Sequence, residues 1–360
     1  MADVRAGTRN TGGHTGDVVK PHADAGFFGP GSVAWKVWLY PTAMLHGFIR
    51  ATVIEELDPY LVASVDHSGQ VKQRPALRYD RTMQYFATVM FADAKTVLDS
   101  AELLVKIHSR AIGPEPVTGG QYDANDPDSQ LWIHMTAWHS ILYTYEMFGP
   151  GKLSEAEEAE YWEACAIAAA FQTIDPEAVP RSRDEVRRYF EDWRPRLAGT
   201  EVAQDMMDFI LYASQYLVPK PVPKVLRRVV SRFVGAGVKA TMPHWMRKIG
   251  ATPQSRVMDS VIIALTRPVM RLMARGNRKL QLDALRRITP RSAPVIAPAL
   301  LEVPPTSPKK WTPAEAYEHF EMTTPRKQYE AVRDAKREPY RKHHHEPVLE
   351  FQTTPAGKAS

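Results

Sequence analysis

The sequence predicts an all-α protein organised as a single large helical domain. Three observations carry this. Apolar residues recur at helical spacing in one segment after another. The segments open on capping residues and close on Gly or Pro. No convincing run of alternating residues marks a strand, and no internal repeat is present. A length of 360 residues allows a substantial core, and 44% hydrophobic with 24% charged residues is ordinary globular composition. The expected division is a flexible N-terminal tail over 1–32, a helical domain over 33–290, and a Pro-rich, charged C-terminal extension over 291–360, also flexible.

Residues 1–32 are rich in Gly, Asp and His and end in GFFGPGS, so ordered structure is expected from about Val33. A helix from about Arg81 to Phe91 carries Met83, Phe86, Val89 and Met90 on one side. Asp93 can cap a second helix, whose apolar face holds Val97, Leu98, Ala101, Leu104, Val105, His108 and Ile112 before Gly113-Pro114 stops it. After a loop comes LWIHMTAWHSILYTYEMFG, apolar or aromatic nearly all round, which belongs at the centre of the core. Ser154 with Glu157 forms a capping box, and Ser182 with Glu185 repeats that spacing. Helices are expected near 182–195 and 200–217, with Pro219, Pro221 and Pro223 breaking the chain beyond. VLRRVVSRFV is amphipathic, and a helix over roughly 255–275 is expected to bend or restart at Pro268. From Thr289 frequent Pro suggests an extended strap, followed by short helices at WTPAEAYEHFEM and around 325–340.

Composition excludes several classes. The single cysteine, Cys165, can form neither an internal disulfide nor a zinc site alone. No apolar run is long enough to span a membrane, and the first residues lack the apolar core of a secretory signal. A cytoplasmic protein is therefore expected, with peripheral membrane contact as a variant. Residues 218–288 hold sixteen Lys and Arg against Asp259 and Asp283. A solvated face is the default for such a block. Its amphipathic VLRRVVSRFV also suits an anionic membrane, and nucleic acid is not expected because no recognised module accompanies the charge.

Phosphate-binding glycine loops, dinucleotide fingerprints, HExxH and nucleophile elbows are absent, so chemistry needs a cofactor or a spatially assembled site. The informative stretch is 77–113. Arg78 and Thr82 are four apart and share a helix face, with Arg81 at its edge. One continuous helix would hold Thr82 and His108 roughly 39 Å apart at about 1.5 Å per residue. A reversal near Ala92-Asp93 would bring them onto facing surfaces.

R-x-x-R-T, then a helix ending in I-H-x-x-x-x-G, resembles the core of the MpaB-like oxygenases and latex clearing proteins (rubber oxygenases). YDANDP with Leu131-Trp132, Leu153-Ser154 with its acidic helix, and MPHWMR with Gly250 extend the resemblance over roughly residues 35–290. It implies a globin-like helical fold of the latex-clearing type and an oxygenase that uses haem b and O2 on a hydrophobic or lipid-like small molecule. It also implies that His108 is the proximal iron ligand and that Arg78 and Thr82 lie beside the haem. Arg81 stands where rubber oxygenases carry Lys. Those enzymes use a distal Glu, for which no clean counterpart is visible; Asp66 and His67, in VDHSG, lie in that neighbourhood as proton-transfer candidates. The alternatives are a cofactor-free isomerase or hydrolase on the same fold, and a non-catalytic haem- or lipid-binding protein at a membrane surface.

Plainer readings stand beside these. A His on an apolar face is often just packed and hydrogen-bonded; Arg78 and Arg81 could pair with Asp80; Thr82 could be a cap. His134 and His139 read as core histidines before a second haem ligand, Trp132 and Trp138 as packing residues, and His343-His344-His345 as a solvated run.

Overall fold

The structure, a computed structural model, describes residues 19–218 and 222–342. Among them every element is helical except one short hairpin. Helix α1 (Val33–Trp38) begins where the Ser32 hydroxyl accepts from Trp35 N at 3.2 Å. A π-helical turn, Ala43–Gly47, leads into α2 (Phe48–Glu55). Asp58 caps α3 (Pro59–Ser68), and α4 (Gln70–Gln73) is one turn. Helix α5 (Pro75–Phe91) starts a turn and a half earlier than Arg81, because Pro75 at its first turn has no N–H to leave unsatisfied. Asp93 caps α6 (Ala94–His108) as expected, accepting from Thr96 N at 3.1 Å.

The chain then forms two antiparallel three-residue strands, β1 (Ile112–Pro114) and β2 (Gln121–Asp123), with Gly113 opposite Tyr122. A Cβ on Gly113 would fall 2.8 Å from the Tyr122 ring carbon Cζ, so that register requires glycine. Next come α7 (Pro127–Phe148), α8 (Glu155–Ala169) with its Ser154–Glu157 capping box, α9 (Arg183–Trp193) and α10 (Glu201–Leu211). The helix anticipated to Leu217 stops earlier, and α11 (Ser214–Leu217) is a separate turn. Of the three prolines beyond it, Pro219 and Pro221 lie outside the described residues.

Helices α12 (Lys224–Thr241), α13 (His244–Ile249), α14 (Arg256–Ala274) and α15 (Arg278–Ile288) build the basic segment. Pro268 neither ends nor restarts α14. It lies on the exposed side, as does Ala264 four residues earlier, so the carbonyl freed by the missing N–H can reach water.

Two expectations at the ends are corrected. The strap after Thr289 contains a buried helix, α16 (Ala293–Leu300), because Pro294 falls in its first turn and Ala293, Ile296, Ala297 and Leu300 all have a core to enter. Residues 22–26 are not a loose tail: Ala25 N and Trp311 N bond the carbonyls of Lys309 and Gly26, and Phe27 and Phe28 are buried. That apolar pair anchors the segment, and it is stitched to the stretch before α17 (Pro313–His319), which a second capping box starts. α18 (Pro325–Lys342) completes the described chain. Residues 1–18 and the His343–His345 run lie outside it.

Two apolar cores share α7. The larger joins α1, α5, α6, α8, α16 and α17 around Trp138, and the smaller joins α2, α3, α10 and α12 around Trp132. Trp132 stacks on Trp193 at 5.4 Å, and both central Trp are packing residues, as read. Helix α2 runs against α7 at close range: a Cβ on Gly47 would fall 2.8 Å from Ile141 Cα. This contact sets the geometry of the site, because α2 ends in two carboxylates.

Candidate active site

Helix α5 divides its residues by face. Met83 and Phe86 enter the core, and the Tyr79 and Tyr85 hydroxyls donate to the carbonyls of Met44 and Phe171 at 2.7 Å each. Arg78, Arg81 and Thr82 take the other side. Asp80, a possible ion-pair partner for the two arginines, is instead buried and accepts from Arg291 N, Ser292 N and the Ser292 hydroxyl, fixing the start of α16. The arginines are therefore left for other work.

Arg78 is solvent-exposed, yet desolvation holds its guanidinium below the ordinary value. The carboxylates of Glu56 and Glu55 offset that desolvation. His108, at the last turn of α6, is half-buried; desolvation and then the Arg78 charge bring it down to about 4, so the imidazole is neutral at physiological pH. The reversal at Ala92-Asp93 thus brings Arg78 and His108 into one electrostatic neighbourhood.

Helix α7 holds the other edge of the His108 ring. Gln130 Nε2 donates to Ala124 O at 2.5 Å and to His108 Nδ1 at 3.0 Å, while Gln172 Nε2 donates to Gln130 Oε1 at 2.9 Å. With the Gln130 amide pinned at both ends, Nδ1 is the acceptor and Nε2 carries the proton in this arrangement. Among the described residues Nε2 has no hydrogen-bond partner. The Ala124 carbonyl also lies beside the ring, where it opposes the fall in pKa.

The acid members were not found from sequence. Glu55 and Glu56 close α2, nearly buried at 9% and 3% exposure. Thr136 donates to Glu55 Oε1 at 2.7 Å, and Glu56 Oε2 is buried with no partner among the described residues. Desolvation raises Glu55 to about 7, against the Thr136 bond and the Arg78 charge; desolvation and then Glu55 raise Glu56 well above the carboxylate range. The readable signal was two acids closing the apolar helix FIRATVIEE.

The remaining candidates divide. The Asp66 charge reaches Glu56, from an exposed position on α3. His67 is exposed with its ring 6.3 Å from Tyr122, and among the described residues no hydrogen bond or ion pair joins it to His108, Arg78, Glu55 or Glu56. Thr82 donates to Arg78 O at 3.0 Å within its own helix; Arg81 is exposed and acts on the site only through its charge on Arg78. His134 Nε2 donates to Cys165 O at 2.8 Å as a core histidine, and His139 belongs to a different cleft of about 370 Å³ that neither His108 nor Arg78 lines.

A neutral imidazole with a nitrogen unpartnered among the described residues, a nearby cation and a carboxyl titrating near neutrality can hold a metal-centred group, steer an anion and move a proton. A family model described as "ER-bound oxygenase mpaB/B'/Rubber oxygenase, catalytic domain" matches residues 35–275. Comparison with curated proteins and with solved structures gave no match.

Proposed function

The chain belongs to the mpaB/rubber oxygenase catalytic-domain family, and on that premise we propose that it is a haem b-dependent oxygenase of a hydrophobic small molecule, with His108 as the iron ligand. The observation that carries the reading is the coupling of neutral His108, held by Gln130 at 3.0 Å, to the Arg78 charge, and of Arg78 to the buried Glu55–Glu56 pair.

The residues fit the group on two counts. Nε2 of His108 has no protein partner among the described residues, and the Ala124 carbonyl stands where it can take an Nδ1 proton. His108 would hold the iron through Nε2 in the tautomer that carries its proton on Nδ1. When bound, haem b supplies the iron chemistry that activates O2. The protein's own groups do the rest. Arg78 presents a cation to propionates or to an oxygen-derived anion. Glu55 holds or releases a proton near pH 7, and once ionised its charge helps keep Glu56 protonated by like-charge repulsion. Arg81 and Asp66 adjust this balance from the rim, Thr82 steadies the Arg78 turn, and His67 has no part in it.

The same Glu55 favours a second reading, a cofactor-free isomerase with a carboxylate base. Oxygen uptake separates the two. The haem-loaded protein is expected to consume O2 with an unsaturated hydrocarbon, and Arg78→Ala to lower that rate by about 10²-fold or more. Isomerisation without O2 uptake would favour the second reading.

No described helix is long and apolar enough to cross a membrane. We place the protein in the cytoplasm, docked on anionic lipid through α12 and α14. Val225, Leu226 and Val229 on α12 and Val257, Leu265 and Leu272 on α14 are all at least half exposed, and Arg227, Arg228, Arg256, Arg267 and Arg271 lie close to them in sequence. Such a basic amphipathic surface suits an interfacial position and delivery of a lipid-like substrate.

A further inference from the structure

Arg50 is the least compensated charge in the core. It lies in the middle of α2 with 2% of its surface exposed, and no carboxylate pairs with it among the described residues. Its Nε donates to Thr241 O at 3.2 Å and its Nη1 to Ser140 Oγ at 2.7 Å, with His139 Nδ1 at 3.4 Å. The guanidinium also lies 4.9 Å from the centre of the Tyr143 ring. All these partners are neutral, since desolvation and the Arg50 charge hold His139 well below its ordinary value. Burying a cation with neutral partners alone is costly, and the usual remedy is an anion.

Arg50 lines the cleft of about 370 Å³ between α2, α7, α9 and α13. Nη2 makes no hydrogen bond among the described residues, so its donors remain for whatever enters. The cleft's own carboxylate nearest in sequence, Glu146, is already engaged by Arg183 at 2.7 Å. Its other walls are largely apolar: Ile54, Leu142, Trp162, Phe190, Trp245 and Met246. At the mouth, Arg194 stacks over Trp245 at 4.5 Å, and Arg187 lines the same cleft, so the approach carries further positive charge beside Glu191. Small-molecule pockets run from roughly 300 to 1,000 Å³, so the volume suits a modest ligand.

We propose that this cleft binds a small amphiphile with an apolar body and a carboxylate head, the carboxylate pairing with Arg50. The site is separate from the one around His108. Gln130, which touches His108, and His139, which touches Arg50, are nine residues apart on α7, about 14 Å at 1.5 Å per residue. The inference does not depend on iron or on oxygen chemistry.

The test is calorimetric titration of the full-length protein with dodecanoate and with dodecanol, which share a chain and differ in charge. Dodecanoate is expected to bind about tenfold tighter or more. Arg50→Gln is expected to remove that preference and leave dodecanol unchanged. Because Arg50 is buried and that variant can fail to fold, Trp245→Ala at the half-buried mouth is the second arm, expected to weaken both ligands severalfold. Equal affinity for acid and alcohol in the native protein, or unchanged binding in a folded Trp245→Ala protein, would overturn the assignment.

Discussion

At the scale of single residues, the most consequential group is Glu55. The folded protein keeps its proton up to about 7, whereas the unfolded chain releases it near 4.5. Between those values the unfolded state binds fewer protons, so this group's contribution to stability falls as pH rises from about 4.5 to 7. Glu55→Gln is therefore predicted to be more stable than the native protein at pH 8, by up to about 3 kcal/mol, with little difference at pH 4.5. Urea unfolding at the two pH values measures this. A variant less stable at pH 8 would show that the ionised carboxylate is held by Arg78. His108 and Arg78 enter the proposed site through a sequence motif. Glu55 and Glu56 do not, because their roles come from α2 meeting α7, and no local spacing records that. Asp66 and His67 were neighbours in sequence but not in function: one is felt by Glu56, the other faces Tyr122.

At the scale of elements, capping chemistry was readable wherever it was local. Asp93, Ser154 and Ser182 start α6, α8 and α9 as their side chains dictate. The ends of the chain were misread for the opposite reason. Pro-rich sequence suggested a strap, but α16 is decided by the Asp80 carboxylate holding its first turn, 212 residues away in sequence. On α12 Val234 and Val238 are buried, while Val225, Leu226 and Val229 of the amphipathic stretch face out. This exposed stripe makes a prediction about the element. Val229→Glu with Leu265→Glu is expected to reduce co-sedimentation with phosphatidylserine-containing vesicles by about tenfold or more, and added salt to weaken the native protein's binding. Undiminished binding would remove α12 and α14 as the docking surface.

At the scale of the whole molecule, the all-α architecture followed from periodicity, and the cores from which faces were apolar. The polar interior did not. His46, His108 and His134 are each lowered to about 4 by burial, and His139 lies well below its ordinary value. They are neutral in the folded state and take up protons on unfolding below about 6.5, so stability is predicted to fall as pH drops from 6.5 towards 4. His46, His108 and His134 each contribute up to about 3 kcal/mol to that loss. His46 has both ring nitrogens unpartnered and packs against Phe148 at 4.9 Å. His46→Phe should thus lower the number of protons taken up on unfolding by about one, read from the pH slope of stability between 5 and 6. An unchanged slope would mean that His46 is already protonated in the fold.

The central claim is that His108 holds iron in haem b. Its most direct test is the absorption spectrum of the protein after loading with haem, beside His108→Ala treated alike. An intense Soret band in the native protein, lost or shifted in a folded His108→Ala protein, is the predicted result. A folded native protein that takes up no haem, or a spectrum indifferent to the substitution, would contradict it.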